Sequence, residues 1–381
     1  MNKIIQYKKL IDICEIITGE WGTEITENSQ NIVSVIRTTN FLNNGKIDIQ
    51  NKELIKREID KKKIEQKQLK RGDIIIEKSG GSPNQPVGRV VFFDLNSNEV
   101  FLCNNFTSIL RVKEDINSKY IFYFLRNNYK INKVVKYQNK TTGIINLKLQ
   151  NYLNESCIFL PELKIQNKIV NILDNLENII EKNQNYLTHL VVLTKSLFTK
   201  FNKNGVEKQL NDVADIIMGQ SPLSQSYNKD KKGLPFYQGK TEFSDIYIKE
   251  ATVYCNSPIK VVEENDILMS VRAPVGDVNI ATQKSCIGRG LASIKPKKID
   301  YLYLFYLLKE QKSKIEKIGV GSTFKAINKN NISTLKISIV EKDKQNKIRN
   351  YLSFIEKLKF TIMTIILITY ENMKKKGVEK D

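Results

Sequence analysis

The chain has 381 residues, with 61 lysines and arginines against 41 aspartates and glutamates, a formal charge of +20. Hydrophobic residues make up 41%, which excludes a basic disordered tail and predicts two or three folded domains. A folded chain with that surplus repels itself and is best placed beside a polyanion, nucleic acid before an acidic membrane. Cysteine and histidine usage narrows the chemistry further. Cys14, Cys103, Cys157, Cys255 and Cys286 are odd in number and none lies within three residues of another. Neither a disulfide framework nor a CxxC metal clip follows from that spacing. His189 is the only histidine and falls in a helical apolar pattern, a helix-surface position. Met1 to Leu10 is polar and basic, and the longest apolar stretch, Phe360 to Tyr370, has 11 residues including three threonines. That is short of the ~20 needed to span a bilayer, and the expectation is a cytoplasmic protein without a signal peptide.

In chain order, Leu10-x-x-Ile13-x-x-Ile16-Ile17-x-Gly19 comes first and returns 200 residues later as Leu210-x-x-Val213-x-x-Ile216-Ile217-x-Gly219. Asp73-Ile74 returns as Asp266-Ile267 and Val87-Gly88 as Val275-Gly276. A segment from Cys103 to Ser108-Ile109 pairs with one from Cys286 to Ser293-Ile294. The aromatic run Tyr120 to Arg126 matches Tyr303 to Lys309, and Gln166-Asn167-Lys168-Ile169 matches Gln345-Asn346-Lys347-Ile348. The order is preserved, so the chain reads as a tandem duplication of one globular unit followed by one helix. Each unit reads as α+β (mixed α/β). Asp73 to Ile76 and Asp266 to Met269 are short apolar strands. Gly80-Gly81-Ser82-Pro83 and Ala273-Pro274-Val275-Gly276 are turns. The aromatic runs suit a buried helix; bases could stack on them, but core packing is the favoured reading. The expected boundaries are a globular domain over 1–160, a long helix over 161–203, a second globular domain over 204–340 and a second long helix over 341–377.

From Glu162 to Phe201 there is no glycine, and Pro161 stands just before. Ile165, Ile169, Ile172, Leu176, Ile179, Tyr186, Leu190, Leu193 and Leu197, with Asn183 in register, recur every 3.5 residues. This is the seam of a coiled coil. Ile348, Tyr351, Ile355, Leu358, Ile362 and Ile365 repeat it 179 residues later and fade toward Lys374-Lys375-Lys376. Two such seams in one chain are expected to pair, antiparallel because the second globular unit must be returned between them. About 33 residues at 1.5 Å each make a rod of roughly 50 Å, with Asn183 helping to set register.

A search for catalytic motifs finds none that satisfies its chemistry. Pro-Pro and Pro-Cys, which the amino-methyltransferase motifs need, occur nowhere. Gly319-Val320-Gly321 is a fragment of a dinucleotide loop. The segment from Gly233 to Gly239-Lys240-Thr241 imitates a phosphate loop with five residues between the glycines where four are required. Glu65-Gln66-Lys67, with Asp60 upstream, has a nuclease-like spacing but sits in the Lys61 to Lys70 run, where such spacing arises by chance and a solvated face is expected.

The second half then carries Ala214-Asp215-Ile216-Ile217-Met218-Gly219-Gln220-Ser221-Pro222, Gly233-Leu234-Pro235-Phe236-Tyr237-Gln238-Gly239-Lys240, Ser270-Val271-Arg272-Ala273-Pro274-Val275-Gly276-Asp277 and Cys286-Ile287-Gly288-Arg289-Gly290-Leu291-Ala292. Leu160-Pro161-Glu162-Leu163-x-x-Gln166-x-x-Ile169 enters the first long helix. Together these resemble the specificity (S) subunit of type I restriction–modification systems over nearly the whole chain. The first unit fits at Ile36-Arg37-Thr38-Thr39-Asn40 and Arg71-Gly72-Asp73-Ile74-Ile75, and Val340 stands where the first helix has Pro161. The resemblance implies two target recognition domains that each read half of a bipartite duplex DNA site. It implies an antiparallel helical rod that binds two modification (methyltransferase) subunits. S-adenosylmethionine would be bound by those partners and no cofactor or metal by this chain; restriction subunits could join. The location would be the cytoplasm, on the nucleoid through DNA.

DNA-contacting candidates lie in polar, glycine-rich loops. In the second domain they are Gln220, Ser221, Tyr227, Gln238, Lys240, Arg272 and Arg289, the arginines reading guanine, clamping phosphate or bracing the fold through carboxylates such as Asp277. By the repeat, Arg37, Asn40, Lys78, Ser79, Ser82, Arg89 and Asn105 are the first-domain candidates. Two competing readings share the composition: a non-catalytic RNA-binding or other nucleic-acid adaptor, and a self-contained nuclease or methyltransferase.

Overall fold

The computed structural model describes residues 6–81, 85–141, 144–318 and 326–378. The chain divides into two compact units, one running to Ile180 and taking in the chain from Thr369, the other Glu181–Ile368. Both are mixed α/β and built on one plan. In the first unit an antiparallel sheet is ordered Cys14–Thr18, Thr107–Val112, Ile74–Glu77, Val90–Phe92. Ile74, Ile75 and Ile76 are completely buried, Ile74 and Ile76 in one core cluster and Ile75 in another. A strand covered on both faces needs a continuous apolar run, which is what the sequence carries there. The Ile75 face packs on a second sheet ordered Ile55–Glu58, Ile32–Ile36, Phe101–Cys103, whose last two strands are parallel. The second unit repeats this. Its four-stranded sheet is ordered Ala214–Met218, Leu291–Pro296, Ile267–Ser270, Val278–Ile280. Its five-stranded sheet holds Leu234–Tyr237 parallel to Ser285–Ile287.

Strand register corrects the repeat at one place. Ile16 pairs with Leu110 and Ile74 with Leu110, while Ile216 and Ile267 pair with Ile294. Leu110 therefore corresponds to Ile294, and Ser108 to Ala292 rather than Ser293. Cys103 likewise corresponds to Ile287, since Glu20 N donates to Cys103 O and Gln220 N to Ile287 O. Matching identical letters misplaced this segment by one residue at each end. Burial alternates with period two there, and register rather than identity decides which face a residue takes.

The repeated glycines have backbone reasons. Gly88 and Gly276 have φ of +111° and +85°, conformations that penalise a side chain. Gly19 and Gly219 are places of close approach, where an added Cβ would lie 1.9 Å from Asn104 O and 2.1 Å from Gly288 O. Gly219→Ala is expected to destabilise the second unit by about 2 kcal/mol or more. Thermal unfolding followed by hydrogen exchange checks this; protection lost in the first unit instead would contradict it.

The aromatic runs are core helices, as favoured from sequence. Asn117 caps Ser118–Lys130 by accepting from Lys119 N and Tyr120 N, and Asp300 caps Tyr301–Glu310 by accepting from Leu302 N and Tyr303 N. Every residue from Leu302 to Leu308 is buried. A two-stranded ribbon then closes each unit, Gln6–Lys9 with Cys157–Leu160 and Val206–Gln209 with Lys336–Ile339. The long helices follow, Leu163–Phe201 and Lys342–Val378. Gln166 Nε2 donates to Pro161 O and Gln345 Nε2 to Val340 O. The glutamine fixes each helix start in the same register, so the second helix does without the proline.

Along the first long helix, the buried positions are Gln166, Val170, Ile180, Thr194 and Phe198. Of the seam expected from sequence, Ile169, Leu176, Asn183, Leu190 and Leu197 are half-buried, while Ile165, Ile172, Ile179, Tyr186 and Leu193 are exposed. In the second helix Ile348 and Ile355 are buried, as are Leu352 and Lys359, whereas Tyr351, Leu358 and Ile365 are exposed. The apolar stripe is wider than one surface covers: Val170 packs in the first unit's core, while Phe198 farther along the same helix, with Ile348 and Leu352 of the second helix, packs in the second unit's core. Tyr123 OH donates to Asp174 at 2.5 Å and lies 3.1 Å from Glu177 in one unit, and Tyr306 OH donates to Glu356 at 2.7 Å in the other, a tyrosine held against a helix carboxylate in both. Within the second unit the two long helices meet where Phe201 stacks on Tyr351, ring centroids 5.6 Å apart.

Candidate nucleic-acid interface

In the second unit, backbone bonds draw the ends of both sheets together. Gly219 N donates to Leu291 O, Gln220 N to Ile287 O, Gly288 N to Tyr237 O and Gly290 N to Gln238 O. Around this knot opens a cleft of about 540 Å³ that Ser221, Tyr227, Gln238 and Arg289 share, with Thr241 and Glu242. Four side chains from three separate stretches of sequence, each a candidate, thus line one cleft. Ser221 Oγ donates to Gln238 Oε1 at 3.0 Å and accepts from Arg289 N at 3.3 Å. Tyr227 stacks on Phe236 at 4.7 Å between centroids and its hydroxyl donates to Pro222 O, so it walls the cleft. Desolvation raises the pKa of that phenol, keeping it a neutral donor. Gln220, Gln238 and Arg289 are exposed.

Three candidates, Gln220, Lys240 and Arg272, are not among the residues lining this cleft. Lys240 pairs with Asp277 at 2.5 Å, and Lys312 takes the other oxygen at 2.5 Å. Burial pushes the Asp277 carboxyl up, but the two lysine hydrogen bonds outweigh it and hold the group below its usual value. The bracing of Arg272 or Arg289 by Asp277 is therefore replaced by lysines. Arg272 is exposed, its backbone bridging to Ala326. Among the described residues neither arginine side chain has a hydrogen-bond or ion-pair partner, which leaves both open to an anion or a base edge.

The first unit uses its candidates differently. Asn40 is fully buried; its Nδ2 donates to Asp48 O and Lys52 O, and its Oδ1 accepts from Arg37 N. A side chain spent on its own loop cannot reach a base, so Asn40 holds that loop and is withdrawn as a DNA contact. Arg89 is corrected for the same reason. It forms a two-pronged pair with Glu77, donates to Thr38 O and lies over the Phe41 ring. Ser79 Oγ donates to Asn146 Oδ1 at 2.6 Å. Arg37 Nη2 donates to Glu53 O, and its Nε is buried without a partner among the described residues. Lys78 is half-buried, and desolvation lowers its pKa. Asn105 is exposed. Ser82 lies outside the described residues.

Beside these candidates stand Glu20, Trp21 and Phe106, which the sequence reading did not name. Glu20 occupies the place of Gln220 and pairs with Lys67 at 2.9 Å and Lys63 at 3.3 Å, which hold its carboxyl below its usual value. Arg57 lies 4.4 Å over the Trp21 ring, and Phe106 is 47% exposed. The repeat pointed to Glu20 through Gly19. The Lys61 to Lys70 run is accordingly more than a solvated face. Asp60, upstream of the nuclease-like spacing, caps the helix Lys61–Lys67 by accepting from Lys62 N and Lys63 N. Among the described residues, no three His, Cys, Asp or Glu gather as a metal site would require. Cys14 and Cys103 are buried free thiols, pushed up by desolvation to about 12 and about 11, which disfavours the thiolate that nucleophilic or metal-binding chemistry needs. No helix among the described residues is long and apolar enough to cross a membrane.

The family model for the type I restriction modification DNA specificity domain matches twice, over residues 2–189 and 202–370. The chain belongs to this specificity-subunit family. The specificity subunit is 34% identical over 376 residues to the putative type I restriction enzyme MjaX specificity subunit of Methanocaldococcus jannaschii, covering 93% of this chain and 87% of that one. It is 24% identical over 172 residues to the MjaIX specificity subunit of the same organism, 42% of this chain and 39% of that one. In fold it is similar to the type I restriction–modification S subunit from M. genitalium, with a TM-score of 0.58 and 16% identity over 98% and 97% of the two chains. A chain from a structure of type I complex assembly and conformational transition gives a TM-score of 0.53 at 22% identity over 97% and 94%. The specificity subunit is therefore a DNA-recognition protein, and the RNA-adaptor reading finds no support.

Proposed function

We propose that each unit of this specificity subunit reads one half of a bipartite duplex DNA target, without catalysis of its own. The observation that carries this is the shared frame at Gly19 and Gly219. The same backbone bonds hold different side chains at matching places: Glu20 and Gln220, Arg37 and Gln238, Asn105 and Arg289. One scaffold with two sets of readers suits two different half-sites. The long helices pair as an antiparallel coiled coil and set the number of unread base pairs between them, half-sites on one face of B-DNA lying about 34 Å apart. Exposed apolar side chains such as Ile172, Tyr186, Phe354 and Met363 dock two modification subunits, which hold S-adenosylmethionine and methylate adenine; restriction subunits join that complex in the cytoplasm.

Binding to duplex DNA is expected to fall steeply with salt. With six to ten phosphate contacts the loss is about 10³–10⁵-fold between 50 and 200 mM. Exchanging residues 1–160 for another recognition domain is expected to change one half of the methylated site and leave the other intact. Mapping methylated adenines in the assembled complex checks this. A change in both halves would end the two-reader proposal.

A further inference from the structure

We propose that Gln238 and Arg289 form an edge that turns its donors outward, and that the half-site read by the second unit carries a guanine facing Arg289. This rests on the DNA-recognition reading and extends it from fold to base. The Ser221 hydroxyl already accepts the Arg289 amide proton, so its own proton goes to Gln238 Oε1. The Gln238 amide is thereby oriented, its oxygen turned inward and its Nε2 without a partner among the described residues. Gly288 makes room for that oxygen: a Cβ there would lie 2.4 Å from it.

A glutamine reads adenine with one donor and one acceptor together. With its oxygen turned toward Ser221 and Gly288, Gln238 presents its Nε2 donors outward. The Arg289 guanidinium offers donors alone by nature, and the Asp277 carboxylate is occupied by Lys240 and Lys312. In the major groove, guanine shows two acceptors, N7 and O6, on one edge, the pattern two parallel arginine donors match. Glu242 also lines the cleft, and a carboxylate suits the amino group of the paired cytosine. In the first unit the place of Arg289 is held by Asn105, so guanine is not expected at the matching position of the other half-site.

The test uses the full chain assembled with its modification subunits, reading methylated adenines across a genome and binding to duplexes randomised over the second half-site. The expected result is an invariant guanine in that half-site. Arg289→Asn lowers the guanine preference about tenfold or more and moves it toward adenine, with the first half-site unchanged. Arg289→Lys keeps the charge but loses the planar fork, so guanine reading weakens where a phosphate contact would not. Ser221→Ala frees the Gln238 amide to turn and admits adenine at the adjacent position. A second half-site without guanine overturns the proposal, as does an Arg289→Lys complex with unchanged base preference. If exchanging residues 204–340 leaves the target unaltered, the recognition reading falls first and this inference with it.

Discussion

Arg89→Ala is expected to destabilise the first unit by about 3–5 kcal/mol without altering the DNA target. Glu77 is 3% exposed and Arg89 15%, their atoms 3.0 Å apart. Removing the guanidinium leaves a carboxylate in a dry site with no compensating charge, and the loss is mainly the cost of that stranded group. Replacing both partners together, as Arg89→Met with Glu77→Leu, is expected to recover most of the stability. Chemical denaturation of single and double variants measures this. A stable Arg89→Ala protein with an altered target would return Arg89 to the DNA surface.

Phe198→Ala has a comparable expected cost, about 3–5 kcal/mol, in the second unit. The side chain is 1% exposed, and its ring lies 5.8 Å from Tyr303 and 6.0 Å from Tyr306. It belongs to the core that joins the long helix to the buried aromatic helix. Truncation leaves a cavity that surrounding secondary structure cannot close, so packing contacts are lost along with the transferred area. Hydrogen exchange resolved by residue should show faster opening across the second unit, with the first little changed. Equal loss of protection in both units would contradict that assignment.

The two largest effects fall on residues the sequence treats unequally. Phe198 is an apolar position on a helix, but it stands one residue beyond the seam position Leu197, and packing on the second unit's core rather than the heptad buries it. Arg89 stands in a glycine-rich stretch next to a strand and reads there as a DNA contact, as does Asn40. Arg289, in the same kind of stretch, stays open to solvent. Nothing local separates the three. The separation comes from Glu77 on an adjacent strand, from Asp48 and Lys52 across a loop, and from Lys240 and Lys312 occupying Asp277.

The helices show the same division. A heptad of apolar residues was legible, as were its length and its partner 179 residues on. The stripe that packs on each globular unit includes Gln166, Thr194 and Lys359, which no hydrophobic pattern selects. Lys359 is 8% exposed and pairs with Glu356 at 2.9 Å. A polar residue enters a buried line when a partner is brought to it.

By itself the sequence determined the duplication, the alternation of buried strands and turns, the two core helices, the two long helices and the basic surplus that points to nucleic acid. These are properties of composition and period, which act over a few residues and survive any arrangement of the rest. Only the tertiary structure decided the register of the repeat, the covered face of each long helix and which polar side chains are spent on the fold. Those depend on groups distant in sequence coming within about 3 Å, where a hydrogen bond or ion pair forms or does not.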